Sequence, residues 1–420
     1  MYKNFAKLRF CLLSIKTAHN KIAVCKLYAI MQLLTEVRVL KILILSCFTG
    51  EGHNSAAKAV AARLEIDGHE AVIADPVAFS SDKAQHFISS FYNNMIRKRP
   101  SAFGLLYKAG AIYTSTKLPS PVYYANSSYS EALGKYITEN NFDAVVCTHL
   151  YGMEAMTAVR KHNPDSVPCF GVLTDYTCIP FMKDTKLDIY FAPCSSVAKE
   201  LSDCGIPKEA IITTGIPVNP AFSHHTPKQE ARRMLELPED KHIILIMTGG
   251  IGCENMLELC KETHSHKDDD TLILVLVGHN NSLADSIAEN FGENNGIITV
   301  PFTDKVALYM NAADVLMSKS GGLSSTEAAV ANIPFIIVNA IPGCESKNAA
   351  YFEAEGMAIN THSNKEAAQN ALSLIHDPAR CAEICRRQRL VINSSAAKDI
   401  VERITAYEGL KLNKSQGLNK

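Results

Sequence analysis

The sequence predicts an α/β protein with two Rossmann-like, doubly wound domains that face each other across a cleft. Short all-apolar segments alternate with helical patterns, and such segments are typical of the strands of buried parallel sheets. This alternation occurs twice, before and after a polar stretch at residues 219–241 that we interpret as the interdomain linker. A length of 420 residues suits two domains, and their ligands are expected at the carboxyl ends of the strands.

Residues 39–218 are expected to form the first domain. Its first strand leads through Gly50 and Gly52 into a helix at 55–66, and two later strands end just before His149 and just before Thr174 and Asp175. The predicted strands of this domain are 40–46, 70–74, 143–148, 167–173, 188–192 and 210–214.

Residues 242–410 are expected to form the second domain, followed by a disordered tail at 411–420. Its first strand runs into Gly249 and Gly250, and helices follow its last strand. The predicted strands are 242–247, 271–277, 297–300, 314–317 and 335–338.

The second domain contains the stretch on which the functional prediction depends, residues 317–331. A buried strand breaks into Lys319, Ser320, Gly321 and Gly322 and resumes as an Ala-rich helix. The first N–H groups of such a helix are unpaired and favour a phosphate, and glycines allow its close approach. Glu327 is placed where a carboxylate can accept two ribose hydroxyls. An ordinary N-capped helix is the alternative.

His53 is the candidate general base. It follows Gly52 at a strand-to-helix turn, where the helix dipole lowers the pKa of an imidazole and keeps it neutral. His149 and Asp175 follow strands of the same sheet, so either residue can orient His53 or hold a substrate hydroxyl. A purely structural role for each of the three remains open.

Two basic segments suggest contact with a membrane surface. Residues 1–38 are rich in Lys and Arg, and they form either an amphipathic anchor on anionic lipid or a leader without a fold that precedes a true start at Met31. Residues 83–130 carry six basic residues, nine Phe or Tyr and no Asp or Glu, as a membrane-interface patch requires. A basic surface packed on the sheet is the alternative. The residues expected at the membrane are Phe91, Arg97, Lys98, Arg99, Tyr107 and Lys108.

Several function classes are disfavoured. The net charge of −1 gives no general nucleic-acid signal, and neither first loop matches a dinucleotide fingerprint or carries a Walker lysine. Thirteen Cys without a CxxC pair indicate a reducing compartment, and no apolar run is long enough to span a bilayer. His264 and His266 beside an Asp run fit a solvated loop better than a metal site. We expect a cytoplasmic protein, peripheral on the inner face of the cell membrane, without a metal or a tightly bound cofactor.

The order of the motifs resembles one group within glycosyltransferase family 28. That group contains the monogalactosyldiacylglycerol synthases and the processive diacylglycerol glucosyltransferases, and it is related to the peptidoglycan enzyme MurG. The resemblance covers about residues 40–395. It rests on 50–56, 174–176, 215–218, 248–250, 319–322 with Glu327, and Pro342-Gly343-x-Glu345-x-x-Asn348.

The resemblance implies a GT-B fold and an inverting, metal-independent transfer of a hexose from UDP-glucose or UDP-galactose to the hydroxyl of diacylglycerol. It implies that His53 is the base and that Glu327 holds the ribose. The other residues that it places at the donor are Gly249, Gly250, Lys319 and Ser320, together with Gly321, Gly322, Ser324 and Ser325 at the diphosphate, Phe302 and Thr303 at the uracil, and Glu345 and Asn348 at the sugar.

The chain departs from this family pattern at two positions and leaves several functions open. Cys344 stands where many members have Gln, and Glu51 stands where Gly is usual, so the identities of sugar and acceptor stay undecided. A MurG-like transfer to a polyprenyl-linked acceptor is one alternative. A UDP-sugar 2-epimerase on the same fold and a non-catalytic nucleotide-sugar binder are the others.

Overall fold

The computed structural model describes residues 38–47, 51–80, 119–247, 256–292, 295–338, 340 and 342–412. The chain divides into two compact units, 1–40 and 41–420, and the following description concerns the second unit. Most of the extension 1–38, residues 83–118 of the basic aromatic segment, Gly249, Gly250 and the end of the tail lie outside the described residues.

The first sheet has six parallel strands in the order β2-β1-β3-β4-β5-β6. All six predicted strands of this half are confirmed, with small shifts at their ends. β3 and β4 are buried along their whole length, as expected for apolar strands covered on both faces. The strands are β1 (Lys41–Leu45), β2 (Glu70–Ala74), β3 (Ala144–Cys147), β4 (Cys169–Val172), β5 (Ile189–Ala192) and β6 (Ile211–Thr213).

The first helix begins earlier than predicted, and this moves the candidate base into its first turn. Ser46, just after β1, donates a hydrogen bond of 2.7 Å to the Asn54 side chain, which ties the helix start to the strand end. The negative charge of Glu51 in the first turn interacts favourably with the positive end of the helix dipole. The helices of this half are α1 (Glu51–Ile66), α2 (Pro121–Ser127), α3 (Ser130–Glu139), α4 (Leu150–His162) and α5 (Ser195–Asp203).

The second sheet is also parallel, in the order β12-β11-β10-β7-β8-β9. Five of its strands were predicted. The sixth, β12, has only two residues, and no periodicity can be read from so short a segment. The strands are β7 (His242–Met247), β8 (Thr271–Gly278), β9 (Ile297–Pro301), β10 (Val315–Ser318), β11 (Phe335–Ile337) and β12 (Ile359–Asn360).

Most of the remaining helices flank this second sheet, and α10 directly follows β10 as predicted. Gly321 is its N-cap residue, with extended backbone, and Asn332 ends it in the left-handed conformation. The helices are α6 (Lys228–Met234), α7 (Met256–His266), α8 (Asn281–Phe291), α9 (Val306–Ala312), α10 (Gly322–Ala331), α11 (Cys344–Ala354), α12 (Asn364–Ile375) and α13 (Pro378–Val391).

The end of the chain crosses back to the first sheet. Helix α14 (Ala396–Thr405) packs against α1, and the short α15 (Gly409–Leu412) follows it. The Asn393 amide donates to the Thr214 carbonyl at 2.8 Å, and the Tyr407 ring meets Phe170 edge-on with its centroid 5.3 Å away. The two halves are therefore joined by this return crossing as well as by the linker.

Helix α4 carries a buried acid that the predicted site does not use. Glu154 is 0% exposed, and its Oε2 accepts a 2.6 Å hydrogen bond from the Asn126 amide. Its Oε1 has no partner among the described residues. Burial raises the pKa of the Glu154 carboxyl to about 8, so this acid is protonated at neutral pH.

Replacing this acid gives a prediction about stability and pH. The folded protein keeps a proton on Glu154 between pH 4.5 and about 8, whereas the unfolded chain loses it, so wild-type stability falls as pH rises through this window. Relative to Glu154→Gln, we expect a loss of up to about 1.4 kcal/mol per pH unit, measured by urea unfolding at pH 5, 6.5 and 8. Parallel pH profiles for the two proteins would show that the carboxyl is ionised when folded.

Candidate active site

The carboxyl edge of the first sheet holds a pocket where the predicted acid–base residues meet. His53, His149 and Asp175 lie in its polar part, so the structure brings together the three side chains that we predicted to lie close. The other polar lining residues are Thr148, Thr174 and Thr177. The other walls are mainly apolar, from Leu150, Met153, Val172, Ile179 and Met182. A hydroxyl attached to an apolar body fits such a pocket better than a fully polar molecule does.

Two oxygen atoms lie within hydrogen-bond distance of the same nitrogen of the His53 ring. Nδ1 lies 3.0 Å from the Thr148 carbonyl oxygen and 2.9 Å from Thr174 Oγ1. A carbonyl oxygen only accepts hydrogen bonds, so this contact requires the proton on Nδ1. Nε2 is then the unprotonated nitrogen, which is the form that a general base needs.

Burial, more than the helix dipole, sets the protonation of His53. Burial lowers the pKa of the imidazole, while the charge of Asp175 and the hydrogen bond to the Thr148 carbonyl act in the opposite direction. The lowered pKa keeps His53 neutral at pH 7. The sequence analysis also expected a neutral imidazole, but it attributed this state to the helix dipole.

His149 is held as a neutral residue beside His53. Its Nδ1 accepts a 3.2 Å hydrogen bond from the Tyr151 N–H and so caps α4. Burial, together with the neighbouring His53, keeps the pKa of His149 well below its usual value. The two imidazoles meet edge to face with centroids 4.5 Å apart, so His149 packs against His53.

The loop after β4 reaches from the first sheet into the second half of the molecule. The Tyr176 side chain is 4% exposed and stacks on Tyr351 of α11 at 4.7 Å between centroids. Its hydroxyl lies 2.8 Å from Thr326 Oγ1, whose own proton is donated to the Gly322 carbonyl, so Tyr176 is the donor. This ring anchors the first half to both α10 and α11.

Asn348 closes the same contact from α11. Its amide nitrogen donates to Asp175 Oδ1 at 2.8 Å and to the Ser320 carbonyl at 3.0 Å, while its oxygen accepts from the Tyr176 N–H at 2.8 Å. Both amide hydrogens are thus used by protein groups, and the side chain is 0% exposed. In this conformation Asn348 holds the two halves together at the place where we predicted a sugar contact.

Gly322 lies against the loop of the opposite half. A Cβ atom at this position would overlap the Thr174 carbonyl oxygen and lie 3.1 Å from Asp175 Cα. We expected this glycine to make room for a ligand, and here the missing side chain makes room for protein backbone. Gly321 is open, with only Ser324 Oγ, at 3.9 Å, near the position of an added Cβ.

The other residues predicted for the donor near this glycine surround the start of α10. Ser320 is buried and donates to the Glu345 carbonyl at 2.7 Å, which ties this loop to α11. Ser325 Oγ is buried without a partner among the described residues. Lys319 and Ser324 are half-buried.

Glu327 lies one turn into α10 and is partly buried. Burial alone raises the pKa of its carboxyl to about 8. A carboxyl with so high a pKa gains from any ligand that donates hydrogen bonds to its ionised form, and the hydroxyls of a ribose are such donors.

The far rim of the second sheet carries an exposed aromatic pair. Phe302, after β9, is 65% exposed and stacks on His279, after β8, with centroids 4.3 Å apart and planes 12° apart. Thr303 accepts from the Lys305 N–H at 3.1 Å and so orders this loop. Two stacked rings at the carboxyl ends of strands form a surface on which a base can stack.

Four residues of this region were missed or given no role by the sequence reasoning. Thr174 and Tyr176 belong to a motif that was noticed, but nothing in the sequence reveals that one hydroxyl meets His53 and the other meets α10. Thr148 acts through its backbone, for which there is no residue-type signal. His279 follows a predicted strand directly, and that position was the available signal.

The described part of the chain offers neither a metal cluster nor a membrane span. Within it, no three or more His, Cys, Asp or Glu side chains cluster in a way that could hold a metal ion. Over the same ranges, none of the helices combines the length and the apolar character needed to cross a bilayer.

Both halves of the chain match known protein families. Residues 53–218 match the monogalactosyldiacylglycerol (MGDG) synthase family, and residues 243–404 match the glycosyltransferase family 28 C-terminal domain. Among curated relatives, the processive diacylglycerol β-glucosyltransferase of Bacillus subtilis strain 168 is 25% identical over 339 residues, 80% of this chain and 87% of that protein. That of Bacillus cereus strain B4264 is 26% identical over 372 residues, 87% of this chain and 93% of that protein.

Solved structures show the same fold at lower identity. Acinetobacter baumannii MurG is similar with a TM-score of 0.59 and 15% identity, over 88% of this chain and all of that one. Staphylococcus aureus MnaA, solved with UDP, is similar with a TM-score of 0.59 and 17% identity, over 89% of this chain and 98% of that one. A UDP-GlcNAc 2-epimerase from Neisseria meningitidis has a TM-score of 0.57, 14% identity and coverage of 88% of this chain and all of that one.

The two parallel sheets and the family matches define a GT-B glycosyltransferase. The chain belongs to glycosyltransferase family 28, in the group that contains the MGDG synthases. It is accordingly a UDP-sugar-dependent hexosyltransferase.

A matched pair of glycine substitutions tests the contact between the two halves. Gly322→Ala forces a Cβ into the Thr174 carbonyl, so we expect a loss of about 1–3 kcal/mol in the free energy of unfolding. Gly321→Ala places its Cβ in open space at an ordinary φ of −61°, so we expect a change under about 1 kcal/mol. Denaturant unfolding of both variants measures the difference, and equal stabilities would contradict the close contact.

Proposed function

We propose that the protein transfers a hexose, with inversion and without a metal, from a UDP-sugar to the hydroxyl of diacylglycerol. The observation that carries this proposal is the His53 ring, whose Nδ1 proton is directed to the Thr148 carbonyl so that Nε2 is left as a base. The curated relatives are named diacylglycerol glucosyltransferases, which supports glycolipid synthesis and favours UDP-glucose over UDP-galactose as the donor.

The pocket in the first half supports a lipid acceptor. His53 and Asp175 lie at its polar part, and Leu150, Met153 and Met182 line its apolar walls. A glycerol hydroxyl that reaches Nε2 would leave its attached chains beside apolar side chains. Gly52, in the first turn of α1, lies beside Leu323 of α10, so the proposed acceptor and donor sites adjoin.

The second half supports a nucleotide-sugar donor. The start of α10 offers unpaired N–H groups beside Gly321 and Ser324 for the diphosphate, and Glu327 would hold the ribose. Phe302 would carry the uracil, and Glu345 would face the sugar. Its immediate neighbour in the sequence is Cys344, where other family members provide a further sugar contact.

The proposed reaction is a single displacement. Nε2 of His53 takes the proton of the acceptor hydroxyl while that oxygen attacks the anomeric carbon. The bond from this carbon to UDP breaks on the opposite face, and its electron pair leaves with the diphosphate, next to the positive end of the α10 dipole. The helix start would stabilise the charge that grows on the leaving group.

We place this reaction at a membrane surface, on the cytoplasmic side of the cell membrane. The acceptor is a lipid, and the basic aromatic segment supplies residues suited to anionic headgroups. Within its described part, Tyr124 of α2 is exposed beside Tyr123, with ring centroids 5.8 Å apart. Tyrosine pairs of this kind suit the interface between headgroups and water.

We predict that the protein glycosylates lipid and that this activity depends on His53. With anionic vesicles containing diacylglycerol and radiolabelled UDP-glucose, we expect label in the lipid, release of UDP, and full activity in EDTA. His53→Ala should lose about 100-fold or more in kcat, because it removes the base. Since the pKa of His53 is lowered in the free protein, wild-type kcat/KM should rise with pH through a midpoint below 6.5.

Controls separate the alternatives. His266→Ala alters an exposed histidine of α7 whose hydrogen bonds to described residues lie within its own helix turn, and it should retain wild-type activity. If the lipid is labelled from UDP-galactose and not from UDP-glucose, the proposed sugar would be wrong but the proposed reaction would stand. Label only with a polyprenyl-linked acceptor, or formation of a UDP-sugar epimer without lipid product, would refute the diacylglycerol proposal.

We also predict that the binding of UDP depends on the protonation of Glu327. The pKa of this carboxyl is about 8 in the free protein, and hydrogen bonds from the ribose would lower it, so UDP binding at pH 7 should release protons and tighten as the pH approaches 8. Calorimetric titration of UDP in two buffers with different ionisation enthalpies counts these protons. Glu327→Gln should release fewer protons, and an unchanged count would remove Glu327 from the ribose site.

A further inference from the structure

The residue between the two halves of the site is Thr174, and three contacts meet there. Its hydroxyl lies 2.9 Å from His53 Nδ1. Its carbonyl oxygen occupies the space where Gly322, the first residue of α10, lacks a side chain. The next residue, Asp175, receives a 2.8 Å hydrogen bond from Asn348 of α11. The side chain of Thr174 thus faces the candidate base, and its backbone faces the half that carries the donor residues.

The loop is held from the second half on both sides of Asp175. Asn348 donates to the side chain of Asp175 and accepts from the backbone N–H of Tyr176. The Tyr176 ring stacks on Tyr351, and its hydroxyl donates to Thr326 in α10. If α10 and α11 moved away, these contacts would be lost together, and the position of the Thr174 hydroxyl would no longer be fixed by them.

We propose that Thr174 is a positioning residue that ties the orientation of the His53 imidazole to the docking of the second half. This inference rests on the proposed function, in which His53 is the base. With the halves in contact, the hydroxyl and the Thr148 carbonyl both receive the Nδ1 proton, and Nε2 is left unprotonated. Without that contact, the ring keeps only the Thr148 carbonyl as a fixed partner.

The same two oxygens act when the base accepts its proton. An imidazolium carries a proton on each nitrogen, and its Nδ1–H is stabilised by the Thr148 carbonyl and the Thr174 hydroxyl. The titratable groups that act on His53 are Asp175, whose negative charge favours the imidazolium, and the neighbouring His149, which is neutral. Loss of the Thr174 hydroxyl therefore disfavours the imidazolium and lowers the pKa of His53 in the complex with substrates.

This arrangement gives the enzyme a way to limit proton transfer to the closed state. The base is oriented when the half that carries the donor residues is docked, and the donor is then enclosed near the acceptor hydroxyl. With the halves apart, an unoriented imidazole would activate water less effectively, and less UDP-sugar would be lost to hydrolysis.

Thr174→Val and Thr174→Ser test the positioning role in the full chain. Val keeps the branched shape and removes the hydroxyl, so we expect kcat with lipid vesicles and UDP-glucose to fall about tenfold, the usual effect of losing one such hydrogen bond to a charged group. The KM for UDP-glucose should stay within about twofold of wild type, since Val does not remove a donor contact. The midpoint of the kcat–pH profile should move to lower pH, and Ser should restore both kcat and midpoint.

A double-mutant cycle tests the tie to docking. Asn348→Ala should lower kcat although Asn348 lies away from His53, and Thr174→Val added to it should lower kcat by less than about threefold. A full tenfold loss in the Asn348→Ala background would show that the two residues act independently and would overturn the coupling. Thermal unfolding of each variant confirms that the folded enzyme is compared.

The outcomes also separate this inference from the proposed function. An active wild type, an inactive His53→Ala and a Thr174→Val variant with wild-type kcat and pH midpoint would overturn the positioning role alone. A His53→Ala variant that keeps its activity would remove the base on which both proposals depend. A lower kcat in Thr174→Val with an unmoved midpoint that Ser does not restore would indicate a structural role and would also overturn the inference.

Discussion

The architecture of the site depends on one contact, in which the loop after β4 enters the other half of the molecule. The aromatic ring of Tyr176 is buried among residues of α10 and α11, and Asn348 donates to the Asp175 carboxylate and accepts from the Tyr176 N–H. Burying a ring stabilises by a few kcal/mol, and a buried amide with all its hydrogens used costs little. The contact is therefore stabilising, and it fixes the position of the candidate donor residues near α10 relative to His53.

Burial explains why three titratable groups of the site have unusual protonation. His53 and His149 are neutral because burial disfavours the imidazolium, and Glu327 is protonated because burial disfavours the carboxylate. Each group is thus held in the form that its environment favours before substrate arrives. A base that is already neutral and a carboxyl that gains from donated hydrogen bonds are both suited to binding and proton transfer.

The sequence was sufficient for the sheets because their strands have a simple physical signature. β1 and β7 are continuous apolar runs before Gly-rich loops, and parallel strands buried on both faces require such runs. The predicted start of α1 is too late because the first turn of the helix contains Gly52 and polar residues, which apolar periodicity does not reveal. β12 was missed because two residues carry no pattern.

The candidate site was less predictable because its important contacts join residues far apart in the chain. The predicted grouping of His53, His149 and Asp175 followed from the rule that strand ends meet at one edge. The contact of Gly322 with Thr174, and the hydrogen bond from the Asn348 amide to Asp175, depend on how the two domains dock. No local feature of the sequence encodes that docking.

A crystal structure of the enzyme with UDP bound would test the central claim most directly. We predict that the diphosphate lies at Gly321 and Ser324, that the ribose hydroxyls contact Glu327, and that His53 keeps Nδ1 on Thr148 and Thr174 with Nε2 facing the cleft. A nucleotide bound away from the start of α10, or a His53 ring with Nε2 turned to the Thr148 carbonyl, would contradict the proposed arrangement of donor and base.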